Sequence, residues 1–292
     1  MKRINHKSCG FTLIEIMITL AISSIVMIAL YSTFNSQQKS YTIQEGVADM
    51  QQNIRAAMLL MTNDIRMAGY DKNLTGNFGI TDIRPRDINN IIDVTATGHS
   101  SIIMTEDLDE DGALGGGETI QYTVYDFIAT DQSLDIARDS GAGRRLLAEN
   151  IRGFGIAYAF DDDLDGNLDT YNAAGAANPG AIQPIIWAID ADGDNDLDTN
   201  LDTNLDGVID INDSPAIIVG GTVIIGGVAL ATDVPITSIR AVRIWLLAET
   251  DREDASFSQQ NTFVVGKYVI NPNNTKRMRL LSAIIHGRNL GL

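Results

Sequence analysis

The apolar positions fall into two arrangements near the N-terminus, one continuous and one periodic. Phe11 to Tyr31 is apolar except for Glu15 and a few Thr and Ser. As a helix rising about 1.5 Å per residue it spans roughly 30 Å, the thickness of one bilayer core. The short polar stretch before it carries Lys2, Arg3 and Lys7, so the charge bias keeps the N-terminus cytoplasmic and sends the rest across. The block exceeds the roughly 7–15 apolar residues of a secretory signal, and no small-x-small site follows it directly. The sharp boundary lies before the block, at Gly10–Phe11. Beyond Tyr31 the pattern becomes periodic. Ile43, Val47, Met50, Ile54, Ala57, Met61, Ile65 and Ala68 recur every three or four residues among Gln44, Asp49, Gln51, Asn53, Arg55, Asn63 and Asp64. That is an amphipathic helix with Gly69 as its C-cap. The prediction is one helix over 11–69, membrane-spanning over 11–31. Its stripe averages nearer 3.6 than 3.5, which favours packing on the protein's own head over a coiled coil.

From residue 70 to 292 the period changes to two. Glu118 to Phe127 places Ile120, Tyr122 and Val124 on one face, and Phe154 to Phe160 places Phe154, Ile156, Tyr158 and Phe160 on one face. Ile239–Leu247, Thr262–Ile270 and the run after Lys276 read as further strands. Val219–Leu230, apolar and broken by glycine pairs, reads as a hairpin or ribbon. Pro179, Pro184, Pro215 and Pro272 fall in loops. The expected class is α+β: a long N-terminal helix packed on a β-rich head with inserted acidic loops.

Charge narrows the function. The formal net charge is -17, and losing the first ten residues would remove three positive charges more. Nucleic acid as a general partner needs a basic face, and this charge argues against it. The small basic groups Arg144–Arg145 and Lys276–Arg277–Arg279 read as solvated faces or local pairs. Catalysis finds little support. His6, His99 and His286 are scattered, and His99-Ser100-Ser101 reads as a surface loop without a nucleophile elbow. Gly115-Gly116-Gly117 has no following Lys and opens no helix, so it is no phosphate loop. The expectation is a chain that is not an enzyme.

Gly10-Phe11-Thr12-Leu13-Ile14-Glu15, after a basic leader and before a bilayer-length helix, closely resembles the processing motif of type IV prepilins and type II secretion pseudopilins. The resemblance implies cleavage by a prepilin peptidase between Gly10 and Phe11 and methylation of the new N-terminal Phe11. It also implies that Glu15 pairs with the N-terminal amine of a neighbouring subunit. A carboxylate at membrane depth costs about 2.5–3.5 kcal/mol on insertion scales and calls for a partner. A protonated or snorkelling carboxyl near the helix end is the alternative. Ala148–Tyr158, Ile239–Thr250 and the ending from Lys276 are similar to the PilW-like branch of minor pilins, itself similar to GspJ-type pseudopilins. The implied domains are a leader over 1–10, the helix over 11–69 and a periplasmic or extracellular head over 70–292. The implied partners are other pilins through the helix, the peptidase, an inner-membrane assembly platform and the membrane itself.

The second chemical signal is acidic. Asp107, Asp109, Asp111 and Gly112, with Glu118 at position twelve counted from Asp107, follow the pattern of an EF-hand loop. Asp161, Asp163, Asp165 and Gly166 repeat it with Asp169 at nine and Asn172 at twelve. Asp202, Asn204, Asp206 and Gly207 repeat it with Asp210 at nine and Asp213 at twelve. The stretch from Asp190 to Asp198 is as acidic but shows no clean frame. Calcium takes six to eight oxygens at about 2.3–2.6 Å, which an alternating acidic turn can aim at one centre. The flanking helices of a true EF-hand are missing, so these read as isolated Ca2+ loops between strands. The alternative is a solvated, disordered acidic insert. The only cysteine is Cys9, in the leader, so calcium would replace the disulfide that staples many pilins.

The expected function is a minor pilin, first single-pass in the inner membrane, then in an extracellular filament at low copy, priming or capping assembly. A type II secretion pseudopilin and a calcium-dependent adhesin on a pilin-type anchor are the alternatives.

Overall fold

Helix α1 runs from Leu13 to Met67 in the computed structural model, which describes residues 11–95, 98–127, 133–171, 184–213, 216–219 and 222–290. Contacts divide the chain into two units, Met1–Val47 and Ala48–Leu292. In the first, every residue from 11 to 41 is exposed, including Leu20, Ile25, Met27 and Ile28. The helix is long and apolar enough to cross a membrane. In the second, the predicted stripe is buried at Met50, Ile54, Ala57, Met61 and Ile65, and Met58 joins it. Ile43 and Val47 are only half-buried. The helix ends two residues short of the expected boundary. Gly69, at φ +77°, turns the chain out and its N–H donates to Thr105 O at 2.9 Å.

The head is built from fourteen strands among the described residues. After α1 come β1 (Ile80–Asp82), β2 (Ile102–Thr105), β3 (Thr119–Tyr125), β4 (Leu134–Asp139) and the long β5 (Arg144–Phe160). Then follow β6 (Ala188–Ile189), β7 (Asp196–Asn200), β8 (Ala216–Val219), β9 (Thr222–Ile225) and β10 (Val228–Pro235). The chain closes with β11 (Ile239–Glu249), β12 (Phe263–Val265), β13 (Tyr268–Ile270) and β14 (Met278–His286). Ten strands form an antiparallel sheet in the order β1-β2-β3-β4-β5-β6-β7-β10, with β11 on β5 and β14 on β11. The other four form a small sheet, β12-β13-β9-β8.

The strand expected over Thr262–Ile270 is a hairpin, β12–β13. The cause is Gly266, at φ +59°, whose backbone lies against Gly155; a Cβ on Gly155 would sit 2.5 Å from Gly266 N. This close approach also explains a second difference. From Gly153 to Phe160 both faces of β5 are buried, not one. The large residues Phe154, Ile156, Tyr158 and Phe160 alternate with Gly153, Gly155, Ala157 and Ala159. The small face admits the second sheet and a core of Trp187, Trp245, Leu247, Leu201 and Val265. Small residues at alternate positions bring two sheets together where large ones would hold them apart. Of the expected glycine-broken ribbon, Gly220 and Gly221 lie outside the described residues, as do Pro179 and Pro215, which were expected in loops.

Polar ties hold the second half of α1 to the sheet. Tyr122 Oη donates to Asp64 Oδ2 at 2.5 Å and Arg138 Nε to the same oxygen at 2.7 Å. Burial and this carboxylate push the Tyr122 hydroxyl well above its usual range. The His99–Ser101 stretch is not the surface loop expected. Ser101 is buried, and Ser100 Oγ accepts the Ile156 N–H at 3.1 Å.

Candidate functional site

The N-terminal signal and the acidic loops occupy separate parts of the chain. At the start of α1, Thr12 N–H and Oγ1 each donate to Glu15 Oε2 at 2.8 Å, and Glu15 N–H donates back to Thr12 Oγ1 at 3.3 Å. This is a capping box: the side chains of the cap and third residues satisfy each other's backbone donors. It also sets a carboxylate at the positive end of the helix dipole. Thr12-x-x-Glu15 carried that signal in the sequence, alongside the intersubunit role the resemblance implies. Phe11 is fully exposed beside it; Gly10 lies outside the described residues.

Four acidic loops, not three, share one backbone frame. They are Asp107–Glu118 between β2 and β3, Asp161–Asp169 after β5, Asp190–Asp198 between β6 and β7, and Asp202–Asp213 between β7 and β8. Position four has positive φ in all: Glu110 (62°), Leu164 (59°), Gly193 (87°) and Leu205 (63°). So does position six: Gly112 (77°), Gly166 (86°), Asn195 (79°) and Gly207 (84°). The position-six N–H donates to the first carboxylate each time, to Asp107 at 3.2 Å, Asp161 at 3.1 Å, Asp190 at 2.9 Å and Asp202 at 2.8 Å. The position-five carboxylates of Asp111, Asp165, Asp194 and Asp206 accept from position seven at 2.7–2.9 Å. The Asp190 stretch therefore has the frame that its sequence hid. Asn195 stands where glycine was looked for, and Asn is the residue that most readily shares glycine's left-handed conformation.

The loops close in two ways. Glu118 at twelve accepts from Leu108 and Asp109 N–H at 2.8 and 3.3 Å. Asp213 at twelve accepts from Thr203 and Asn204 N–H at 2.7 and 3.4 Å. In the two other loops position nine takes this part. Asp169 Oδ2 accepts from Asp162 N–H at 2.9 Å, and Asp198 Oδ2 from Ala191 and Asp192 N–H at 2.8 and 3.2 Å. Asn172, the expected position twelve of the second loop, lies outside the described residues.

Three sets of oxygens converge to within 4.8 Å of one another: Asp107 with Asp109 and Glu118, Asp161 with Asp163 and Asp165, and Asp190 with Asp192 and Asp194. These acidic clusters can hold a metal ion. Asp111 and Asp169 stand outside the sets. No such set forms from Asp202, Asp206 and Asp213 among the described residues. There the third position is an amide, Asn204, whose Nδ2 donates to Asp206 at 3.1 Å, and both oxygens of Asp202 are turned to backbone N–H groups.

Counter-charge differs from loop to loop. Asp190, pushed up to about 6 by burial, lies in the field of Arg84 and of the half-buried Lys267. Asp190 and Lys267 line a pocket of about 20 Å3 with Ser100, Ser101 and Tyr158, room for one water. Asp202, raised by burial, faces Arg243, whose guanidinium lies 4.7 Å over Trp245 and 5.7 Å from Trp187. Asp169 is raised by burial and then by Asp163, Asp162 and Asp161. In the first loop Asp107 is fully buried. One of its oxygens takes the Gly112 N–H; the other, Oδ1, has no hydrogen-bond partner among the described residues. A buried, unpaired carboxylate oxygen is costly unless a donor or a cation meets it.

Comparison with known proteins agrees with the N-terminal reading. Residues 5–31 match the family described as the prokaryotic N-terminal methylation motif, a type IV pilin signal. No curated protein matches the chain. Among solved structures, a type IV-like pilin from Thermus thermophilus is similar at 10% identity and a TM-score of 0.38, over 83% of this chain and 98% of that one. The long apolar helix together with the motif fits membrane anchoring.

Proposed function

We propose that this chain is a minor pilin of a type IV pilus. The leader is removed by a prepilin peptidase between Gly10 and Phe11, and the processed helix enters the filament. One observation carries the reading: a methylation motif over 5–31 runs directly into a helix that is exposed at every residue from 11 to 41. An apolar surface of that length is satisfied first by lipid and then by the helices of other pilins. Glu15 accompanies it, capping its own helix and, on assembly, meeting the amine of a neighbouring Phe11. The head is larger than a repeating subunit needs and suits a low-copy place that primes or caps assembly at the inner-membrane platform. The role is structural and not catalytic.

The acidic loops hold Ca2+, which stiffens a head that has no disulfide once Cys9 is removed. The oxygen-only ligand sets and the shared loop frame support this ion over zinc or a transition metal.

Mass spectrometry of sheared surface filaments tests the pilin reading. The expected result is an N-terminal peptide beginning at methylated Phe11, far below the main subunit in abundance. An intact leader, or absence from filaments despite expression, overturns it. Recovery only with a secretion pseudopilus assigns the chain to that system instead.

A further inference from the structure

We propose that a divalent cation held by Asp107, Asp109 and Glu118 is the clasp that fixes the exit of the long helix to the sheet. The inference rests on the calcium reading above and assigns a distinct task to one loop of the four.

Two observations separate this loop from the others. The first is the buried Asp107, whose Oδ1 has no hydrogen-bond partner among the described residues while Asp109 and Glu118 offer oxygens within 4.8 Å. Glu118 is itself buried, and its oxygens already take the N–H groups of Leu108, Asp109 and Gly115. Negative charge thus gathers at one buried point. Lys72, whose charge interacts with Asp107, is paired with Glu110 at the exposed rim. A cation at the centre supplies what the protein does not.

The second observation is what the loop grips. Asp107 N–H donates to Tyr70 O at 2.8 Å, and Gly69 N–H donates to Thr105 O at 2.9 Å. These bonds join the first residues beyond α1 to the end of β2 and the first residue of the loop. Asn73 Nδ2 donates to Glu110 O at 3.3 Å, and Tyr70 Oη reaches Glu110 Oε1 at 3.4 Å. A Cβ on Gly112 would meet the Asn73 side chain at 2.7 Å, so the loop and the 70–76 segment pack tightly. Ordering the loop orders the helix exit through these contacts.

The other loops grip elsewhere. Asn195 of the third accepts the Ile83 N–H and donates to Thr81 O, at β1. Leu168 and Ile209 of the second and fourth pack on the core around Trp187 and Trp245.

The test is hydrogen exchange on the full chain in detergent, with calcium or with chelator, beside a direct titration of bound calcium. With calcium about a hundredfold above its dissociation constant, mass action lowers opening of the site about a hundredfold. The amides of Gly69, Tyr70, Asp107 and Leu108 should slow by that order. Asp107→Asn should abolish the slowing, and Asp161→Asn should leave it intact. Glu118→Gln replaces Asp107→Asn if that variant does not fold. Calcium that binds without slowing exchange over 69–76 overturns the clasp alone, as does slowing that survives Asp107→Asn. A titration that finds no bound calcium overturns the calcium reading and the clasp together.

Discussion

The loops Asp107–Glu118 and Asp190–Asp198 share a backbone frame down to the φ signs at positions four and six, yet their charges are settled differently. In the first, a buried carboxylate oxygen has no partner among the described residues. In the second, both oxygens of Asp190 take backbone N–H groups, and Lys267 lines the same small pocket. One frame therefore holds its first carboxylate in two ways: with one oxygen left open among the described residues in the first loop, and with both oxygens taken by backbone N–H groups in the third. The position-six residue marks the difference in packing. Gly112 is pressed against Asn73, whereas Asn195 uses its side chain to reach β1.

The sharpest way to break the comparison is to remove each loop's charge and read calcium-dependent stability. At a calcium concentration about a hundredfold above the dissociation constant, a filled site contributes about 2.7 kcal/mol. Asp107→Asn should remove most of that gain, seen as a smaller rise in Tm on adding calcium. Asp192→Asn in the third loop should change it far less. Equal losses would mean that the two loops use calcium alike.

Next in size is the internal cation. Lys267→Met removes positive charge beside Asp190 and should cost about 1–3 kcal/mol in chelator, the range for a buried polar group left uncompensated. Calcium should add more stability to this variant than it adds to the parent. Thermal unfolding with and without calcium checks both arms.

Asn195→Gly keeps the left-handed backbone and deletes the bonds to Ile83 and Thr81. A cost of about 1 kcal/mol is expected from denaturant unfolding, the usual net worth of such bonds. A gain would show that positive φ, not the contact to β1, dominates at position six. The smallest effect belongs to Glu110→Ala. It breaks the Lys72 pair, whose side chains are 55% and 44% exposed. Exposed pairs contribute about 0–1 kcal/mol and fade with salt. Titrating stability against ionic strength should show the little that is lost.

Much of this was legible along the chain. The break at Gly10–Phe11, the continuous apolar block and the stripe from Met50 to Ile65 follow from spacing alone, because a helix writes its buried face every three or four residues. The frames at Asp107, Asp161 and Asp202 were legible for the same local reason. The frame at Asp190 was not, because Asn195 replaces glycine and because closure falls at position nine. The capping box of Thr12 and Glu15 was written in the sequence but hidden behind the intersubunit role that the resemblance implies for Glu15. The double burial of β5 was half legible: its large residues alternate openly, while Gly153, Gly155, Ala157 and Ala159 gain meaning only from what lies against them.

The sequence by itself determined the long helix with its apolar first half, the strand-rich head and the turn chemistry of the acidic loops. All of these are local, set by period, by a few capping residues and by side chains that bond to their own backbone. Which carboxylates converge, which lie in the field of a half-buried Arg or Lys, and which loop bonds to the helix exit were decided only by the tertiary structure. Those outcomes depend on partners far apart in the chain, such as Tyr70 with Asp107 and Lys267 with Asp190, and no local pattern records them.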